Sequence, residues 1–232
     1  MTMQDVTSAR PVAASEQTPV SVDAVWRIPP VVCRITNFLG EQAAEAMLKR
    51  AVAVAGSSLS PSTIRDGEVN TSIRKSRSDE MFTAPELLEG IHEVLEIMEH
   101  TLGVCCRDTE PSYGLNVHND GDFYTAHQDI GPKGIASKRL LTFVYYLHGT
   151  PRPFQGGNLR VYDVALPLHT ESKPVAWEAH TWRDWEPEHD SIVFFLPTAW
   201  HEVRKVTCPS GDLADSRFAV NGWLCSATAE QQ

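Results

Sequence analysis

Cysteine is scarce and odd in number. Cys33, Cys105, Cys106, Cys208 and Cys225 cannot all pair, and no C-x-x-C spacing occurs. A disulfide framework and a zinc ribbon are both disfavoured, and a reducing, cytoplasmic setting is the expectation. Positive charge is also short, with 20 Lys and Arg against 30 Asp and Glu and a net charge of -10. Nucleic-acid binding draws on concentrated Lys and Arg, so no nucleic-acid partner is expected. No apolar run reaches the roughly 18–20 residues a bilayer span needs, so no membrane partner is expected either. Residues 1–25 lack the apolar segment of a secretory leader, and their Ser, Thr, Gln, Ala and Pro read as a disordered leader.

What is present is ordinary for a globular chain: 42% hydrophobic and 22% charged residues in a length of 232. Such a length buries a full core, and a single domain over 26–228 is expected, its oligomeric state open. Ala44, Met47, Leu48 and Ala51 recur at helical spacing and predict a helix over 41–54, stopped by Gly56. Residues 57–80 read as polar and irregular. Their basic cluster, Arg74, Lys75 and Arg77, reads as a solvated loop, with contact to an acidic substrate as the alternative. A second helix starts at Thr83-Ala-Pro85, buries Leu87, Ile91, Val94, Leu95, Met98 and Leu102, and stops at Gly103. His92 and His100 fall on its solvent side.

From about residue 111 the pattern changes to β. Runs at 123–127, 140–147, 158–162, 191–196 and 218–224 read as strands separated by Asn-Asp-Gly, Gly-Pro and Gly-Gly turns. Helical support over about 36–104 and a β-core over about 111–226 predict a mainly β fold, a sandwich or barrel backed by helices.

Some of these strands carry chemistry. A facial triad of two His and one carboxylate leaves three adjacent positions of an iron(II) ion open. Its local signature is His-x-Asp on a strand, because residues i and i+2 share a face about 6.6 Å apart. Two such sequences occur, His118-Asn-Asp120 and His127-Gln-Asp129, beside a His-x-Glu at His169 and Glu171. Asp120 sits in Asn-Asp-Gly-Asp, a turn signal that makes His118 and Asp120 diverge. His127 instead closes the strand-like Phe123-Tyr124-Thr125. His201 follows the apolar run 191–196 and precedes a strand opening on Arg217, which places it as the third ligand. On that strand Arg217, Ala219, Asn221 and Trp223 share one face. An Arg beside Ala and Trp suits a buried carboxylate, because its planar fork binds carboxylate bidentately. A strand-end surface ion pair is the alternative.

Together these motifs resemble a known family. His127-Gln-Asp129, Arg139-Leu-Leu-Thr142-Phe-Val-Tyr145-Tyr146-Leu147, Gly156-Gly157-Asn-Leu-Arg-Val-Tyr162-Asp163, His201-Glu-Val203 and Arg217-Phe-Ala-Val-Asn-Gly-Trp223 occur in that order. In this they are similar to the prolyl 4-hydroxylase-like Fe(II)/2-oxoglutarate-dependent dioxygenases. The resemblance spans about residues 113–224. It implies a double-stranded β-helix (jelly-roll, cupin-like), Fe(II) as cofactor, and 2-oxoglutarate and O2 as co-substrates. It implies that Arg217 pairs with the distal carboxylate of 2-oxoglutarate, with Tyr146 and Thr142 beside it. Tyr124 would lie near the iron or the substrate; for both tyrosines plain core packing is the alternative. A carboxylate at Asp129 points to hydroxylation, since related halogenases carry a small residue there. Collagen-type members carry Lys where this chain has Arg217.

The resemblance leaves the substrate open: an amino acid, a peptide (prolyl among the options) or a small natural product. Arg139 either binds a substrate carboxylate or caps its strand. The segment 164–188 carries Trp177, Trp182 and Trp185 and reads either as a substrate-binding loop, with Trp182 and Arg74 as contacts, or as an insert packed on the sheet. Two rival readings are a non-catalytic β-helix binding protein and a cupin-type metal-dependent hydrolase or isomerase. The first needs a silent triad, and the second has little use for the Arg217 strand.

Overall fold

The apolar run ending at Leu147 has no polar face because the strand that carries it is covered on both sides. The structure is a computed structural model and describes residues 25–64, 67–167 and 180–227. The leader, the His169–Glu171 pair and Trp177 lie outside the described residues.

The chain opens with β1 (Val25–Ile28) and β2 (Val32–Thr36), then α1 (Glu41–Ala55). Three short strands follow, β3 (Ser60–Pro61), β4 (Arg74–Lys75) and β5 (Arg77–Asp79), before α2 (Pro85–Leu102). The β-core comprises β6 (Thr109–His118), β7 (Phe123–His127), β8 (Arg139–Leu147), β9 (Gln155–Gly156), β10 (Leu159–Tyr162), β11 (Val164–Pro167), β12 (Trp182–Trp185), β13 (Ser191–Phe195), β14 (His201–Val203), β15 (Val206–Thr207) and β16 (Arg217–Ser226). The larger sheet runs β2-β13-β8-β16-β6-β5-β3 and the smaller β12-β10-β14-β7-β4, with β1–β11 and β9–β15 as separate antiparallel pairs.

Alternation assigns each face. Leu141, Phe143, Tyr145 and Leu147 of β8 pack with Met47 and Ala51 of α1 and Leu87 and Ile91 of α2 in one core. Val144 and Tyr146 point the other way, into a second core with Leu159 and Val161 of the smaller sheet. β16 divides likewise, Phe218, Val220 and Leu224 toward the helices and Ala219 toward the smaller sheet. Each large side chain so buried contributes about 1.5–3 kcal/mol.

The helices match their sequence signals. α1 ends at Gly56; α2 opens on Pro85 and stops at Gly103, whose φ of 67° suits a residue without Cβ. His92 and His100 are exposed. Residues 57–80 depart from the expectation of an irregular stretch. β5 joins the larger sheet beside β6, and β4 joins the smaller beside β7. Strands of two or three residues are too short for an alternating pattern, so neighbouring strands rather than local sequence create them.

Asp190 ties the helical layer to the sheet. Buried, with φ 53°, it accepts the Leu39 amide (2.9 Å) and the Tyr145 hydroxyl (2.8 Å) on Oδ1, and the Gly40 amide (2.9 Å) on Oδ2. Gly40 immediately precedes α1, so one carboxylate joins the entry of that helix to β8. Asp190→Ala strands these donors and is expected to cost about 2–4 kcal/mol, lowering the thermal midpoint by about 5–10 °C. Tyr145→Phe should cost about 1 kcal/mol. Circular-dichroism melts check both, and an unchanged midpoint for Asp190→Ala contradicts the assignment.

Candidate active site

His127 closes β7 and His201 opens β14, and the antiparallel pairing of these strands sets the two opposite each other. Asp129 lies just past the strand, where its amide and that of Ile130 both donate to the Pro197 carbonyl (3.0 and 3.1 Å). Ligating atoms of the three residues all lie within 4.8 Å of one another. His127 Nε2 is 3.7 Å from Asp129 Oδ1, and His201 Nε2 is 3.6 Å from Oδ2. Two donors each about 2.1 Å from an ion, at right angles, stand about 3 Å apart, so slight closure suffices for a divalent metal.

The imidazoles are prepared as ligands. His127 Nδ1 is 2.8 Å from the Thr125 carbonyl and His201 Nδ1 is 2.9 Å from the Ala199 carbonyl. A carbonyl only accepts, so each Nδ1 carries the proton and each Nε2 offers its lone pair to the cluster. Burial first, and His201 second, push the His127 imidazole down to about 3, against the pull of Asp129 and the Thr125 carbonyl. Burial acts to raise the Asp129 carboxyl, but His201 and His127 outweigh it, and the ionised form is favoured. Two imidazoles and a carboxylate on one side of an open cavity fit the donor set of a non-haem iron(II) site. The rival pair separates: His118 is buried at the end of β6, whereas Asp120 is exposed in the turn and accepts the Cys208 amide.

Neighbouring side chains hold the ligands. The Thr142 hydroxyl donates to Asp129 Oδ2 (3.1 Å), and Arg139 donates to the Asp129 carbonyl (2.7 Å) while its guanidinium lies 3.4 Å from the Trp223 ring centroid. The Tyr124 ring stacks on His127 at 3.6 Å. Arg139 lines the cavity from the first residue of β8. Thr142 lines the same cavity, but its hydroxyl serves the carboxylate ligand.

The cavity has a volume of about 1080 Å³ and reaches from the triad to Arg217. Arg217 is 2% exposed. Its Nε donates to the Gly157 carbonyl (2.8 Å), its Nη1 is 3.5 Å from His118 Nδ1, and its Cζ is 5.0 Å from the Tyr146 ring centroid. Among the described residues no carboxylate lies within ion-pair distance of it. Burial pushes its pKa down, yet a guanidinium stays charged at neutral pH. Gly157, at φ 70°, is needed here, because a Cβ would sit 2.7 Å from Arg217 Cδ. Burial, then the charges of Arg217 and Arg74, push the His118 imidazole well below its ordinary range, so it sits neutral beside the cation. The Tyr146 hydroxyl is buried beside the Arg217 guanidinium, whose charge and hydrogen bonding act on it.

Arg217, Asn221 and Trp223 all line the cavity, as strand alternation predicts. Arg74 lines it too, and the reading of its cluster as a solvated loop is corrected for that residue: it is half-buried, while Lys75 and Arg77 are exposed. Trp182 is not brought to the triad; it is half-exposed on the edge strand β12, over Arg160. Trp185 packs on the second core instead. Sequence reading offered His118 only as a rival metal ligand and did not single out Asn116 and Trp200 as cavity residues. The first two share a face of β6, a long strand whose alternation would have shown it; Trp200, exposed at the cavity, follows only from the turn before β14.

Comparison with known proteins agrees with this geometry. Residues 113–225 match the family described as the 2OG-Fe(II) oxygenase superfamily. A Synechocystis protein described as an uncharacterized PKHD-type hydroxylase is 42% identical over 110 residues, 47% of this chain. That match spans only 34% of the relative, about a third of its length. A Pseudomonas putida prolyl-4-hydroxylase superposes with a TM-score of 0.61 at 17% identity, over 86% of this chain and 94% of the other. A Trichoplax adhaerens prolyl hydroxylase, solved with a hypoxia-inducible-factor peptide, gives 0.58 at 18%, over 84% and 83%. The β-core of this chain is thus similar to the 2OG-Fe(II) oxygenase superfamily, and it shares the double-stranded β-helix fold of the solved prolyl hydroxylases. The family uses Fe(II), 2-oxoglutarate and O2, and the triad is the site that fits the metal.

Two outcomes follow from these contacts. Thr142→Val frees one oxygen of Asp129 and is expected to weaken metal binding about 10-fold, read by Mn(II) titration; unchanged affinity contradicts the orienting role. His118 is neutral in the fold, whereas in the unfolded chain it protonates below about pH 6.5. Stability is therefore full above that pH and falls below it, by up to about 1.4 kcal/mol per pH unit for one proton. Urea midpoints of metal-free protein from pH 7.5 to 5 should show this slope reduced by about one proton in His118→Gln.

Proposed function

We propose that this protein is a 2-oxoglutarate-dependent hydroxylase acting on an amino-acid, peptidyl or small natural-product substrate, prolyl substrates included. The observation that carries the reading is Arg217, a buried cation without a carboxylate partner among the described residues, opening on the same cavity as His127, Asp129 and His201. A protein interior does not hold an unpaired charge cheaply, and a dicarboxylate that also chelates a metal answers both ends. Neither rival accounts for the pair: a silent binding barrel has no need of three aligned ligands, and a cupin-type hydrolase has no need of the Arg. The free cysteines support a cytoplasmic setting. Among the described residues no helix is long and apolar enough to cross a membrane.

Iron, when bound with 2-oxoglutarate, supplies the activation of O2 that couples oxidative decarboxylation, to succinate and CO2, with oxygen insertion into a C–H bond. The chain's residues do the rest. His127, Asp129 and His201 would hold the ion from one side, leaving its other positions to co-substrates. Arg217 takes the distal carboxylate, and the Tyr146 hydroxyl is available as a further donor. His118 stays neutral and adds no competing charge. Val144 and Ala219 line the cavity with apolar surface that excludes water.

Anaerobic protein given Fe(II) and 2-oxoglutarate should develop a weak visible charge-transfer band, and aerobic turnover should release succinate. His127→Ala should abolish both. Arg217→Leu removes two charge-assisted bonds and should raise the KM for 2-oxoglutarate on the order of 100-fold. Succinate release undiminished by His127→Ala would refute the ligand assignment.

A further inference from the structure

Arg217 is not the only cation facing the cavity. Arg74, on β4, sits near the metal end: its Cζ is 4.8 Å from the Tyr124 ring centroid, and that ring stacks on His127. Its donors meet neutral acceptors only. Nε donates to Ser76 Oγ (3.0 Å), Nη1 to the Thr63 carbonyl (2.9 Å) and Nη2 to Asn116 Oδ1. Asn116 in turn donates to Asn221 Oδ1 (2.5 Å), beside Arg217 on β16. These contacts fix the guanidinium without neutralising it. No carboxylate among the described residues reaches ion-pair distance; Glu80 lines the cavity but is exposed.

The charge balance of the cavity points the same way. Arg74, Lys133, Arg139 and Arg217 face it, against Asp129 and Glu80, in a protein whose net charge is -10. A divalent metal and a 2-oxoglutarate dianion cancel, so the excess of positive charge persists after both bind. The volume, about 1080 Å³, is at the upper end for one ligand and leaves room for a second molecule. Exposed Ile73, Ile135 and Trp200 supply apolar surface along it.

Resting on the proposed function, we propose that the primary substrate is a carboxylate whose anionic group is received by Arg74, next to the metal ligand His127. The group is either the α-carboxylate of a free amino acid or the C-terminal carboxylate of a peptide. An internal peptide residue, with no charge at that point, is a poor substrate.

The test uses the full chain loaded with Mn(II) and 2-oxoglutarate, with binding read by calorimetry. The probes are the common L-amino acids as free acids and as carboxamides, and short peptides with free or amidated C-termini. Fe(II)-loaded protein is assayed in parallel for stimulated succinate release. At least one free acid, or one free-C-terminus peptide, should bind about tenfold or more tightly than its amide; which set responds identifies the source. In Arg74→Gln that acid-to-amide ratio should fall to within about twofold, and Arg74→Lys should restore part of it. A merely structural Arg74 would weaken acid and amide alike and leave the ratio unchanged. Amides that match acids in the native protein, a ratio retained in Arg74→Gln, or binding by no carboxylate at all overturns the inference. Failure of 2-oxoglutarate itself to bind the Mn(II) protein overturns instead the functional reading on which it rests.

Discussion

A positive charge held inside the sandwich, with no counter-charge among the described residues, governs much of this structure. Arg217 begins β16, one of the two longest strands of the larger sheet, and turns its side chain inward, where burial opposes its ionisation. Leaving such an ion unpaired costs several kcal/mol, and the surroundings are arranged around that cost. Gly157 gives up a side chain so that the guanidinium can pass, and lends it a carbonyl. His118 stays neutral beside it, and Tyr146 turns a ring and a hydroxyl toward it. The Gly156-Gly157 turn, the end of β6 and the inner face of β8 answer one electrostatic demand.

The candidate metal ligands follow a different logic. Their orientation is enforced largely by main-chain carbonyls, those of Thr125 and Ala199 behind the imidazoles and that of Pro197 holding the amide of Asp129. Such contacts depend on chain path rather than side-chain identity. Thr142 and Arg139 add the side-chain component, both reaching Asp129 from β8 or its first residue. The carboxylate is thus braced by the larger sheet and the imidazoles by the smaller.

This division explains what was legible in the sequence. Long, covered strands such as β8 and β16 carry their own evidence, since alternation alone sets Thr142 and Tyr146 on one face of β8, and Arg217 and Asn221 on one face of β16. The turn chemistry around Asp120 separated two identical spacings. What escaped was whatever depends on partners distant in sequence. β4 is two residues long and exists because β7 lies beside it; on it Arg74 becomes a cavity residue rather than a loop cation. Trp182 looked equally suited to the site, but its strand pairs at the outer edge of the smaller sheet.

The two ends of the cavity belong to different sheets. The triad imidazoles stand on β7 and β14 of the smaller sheet, and Arg217 stands on β16 of the larger. A molecule that spanned both would therefore be a strut across the sandwich. An acid too short to reach both would touch one sheet and leave the other untied.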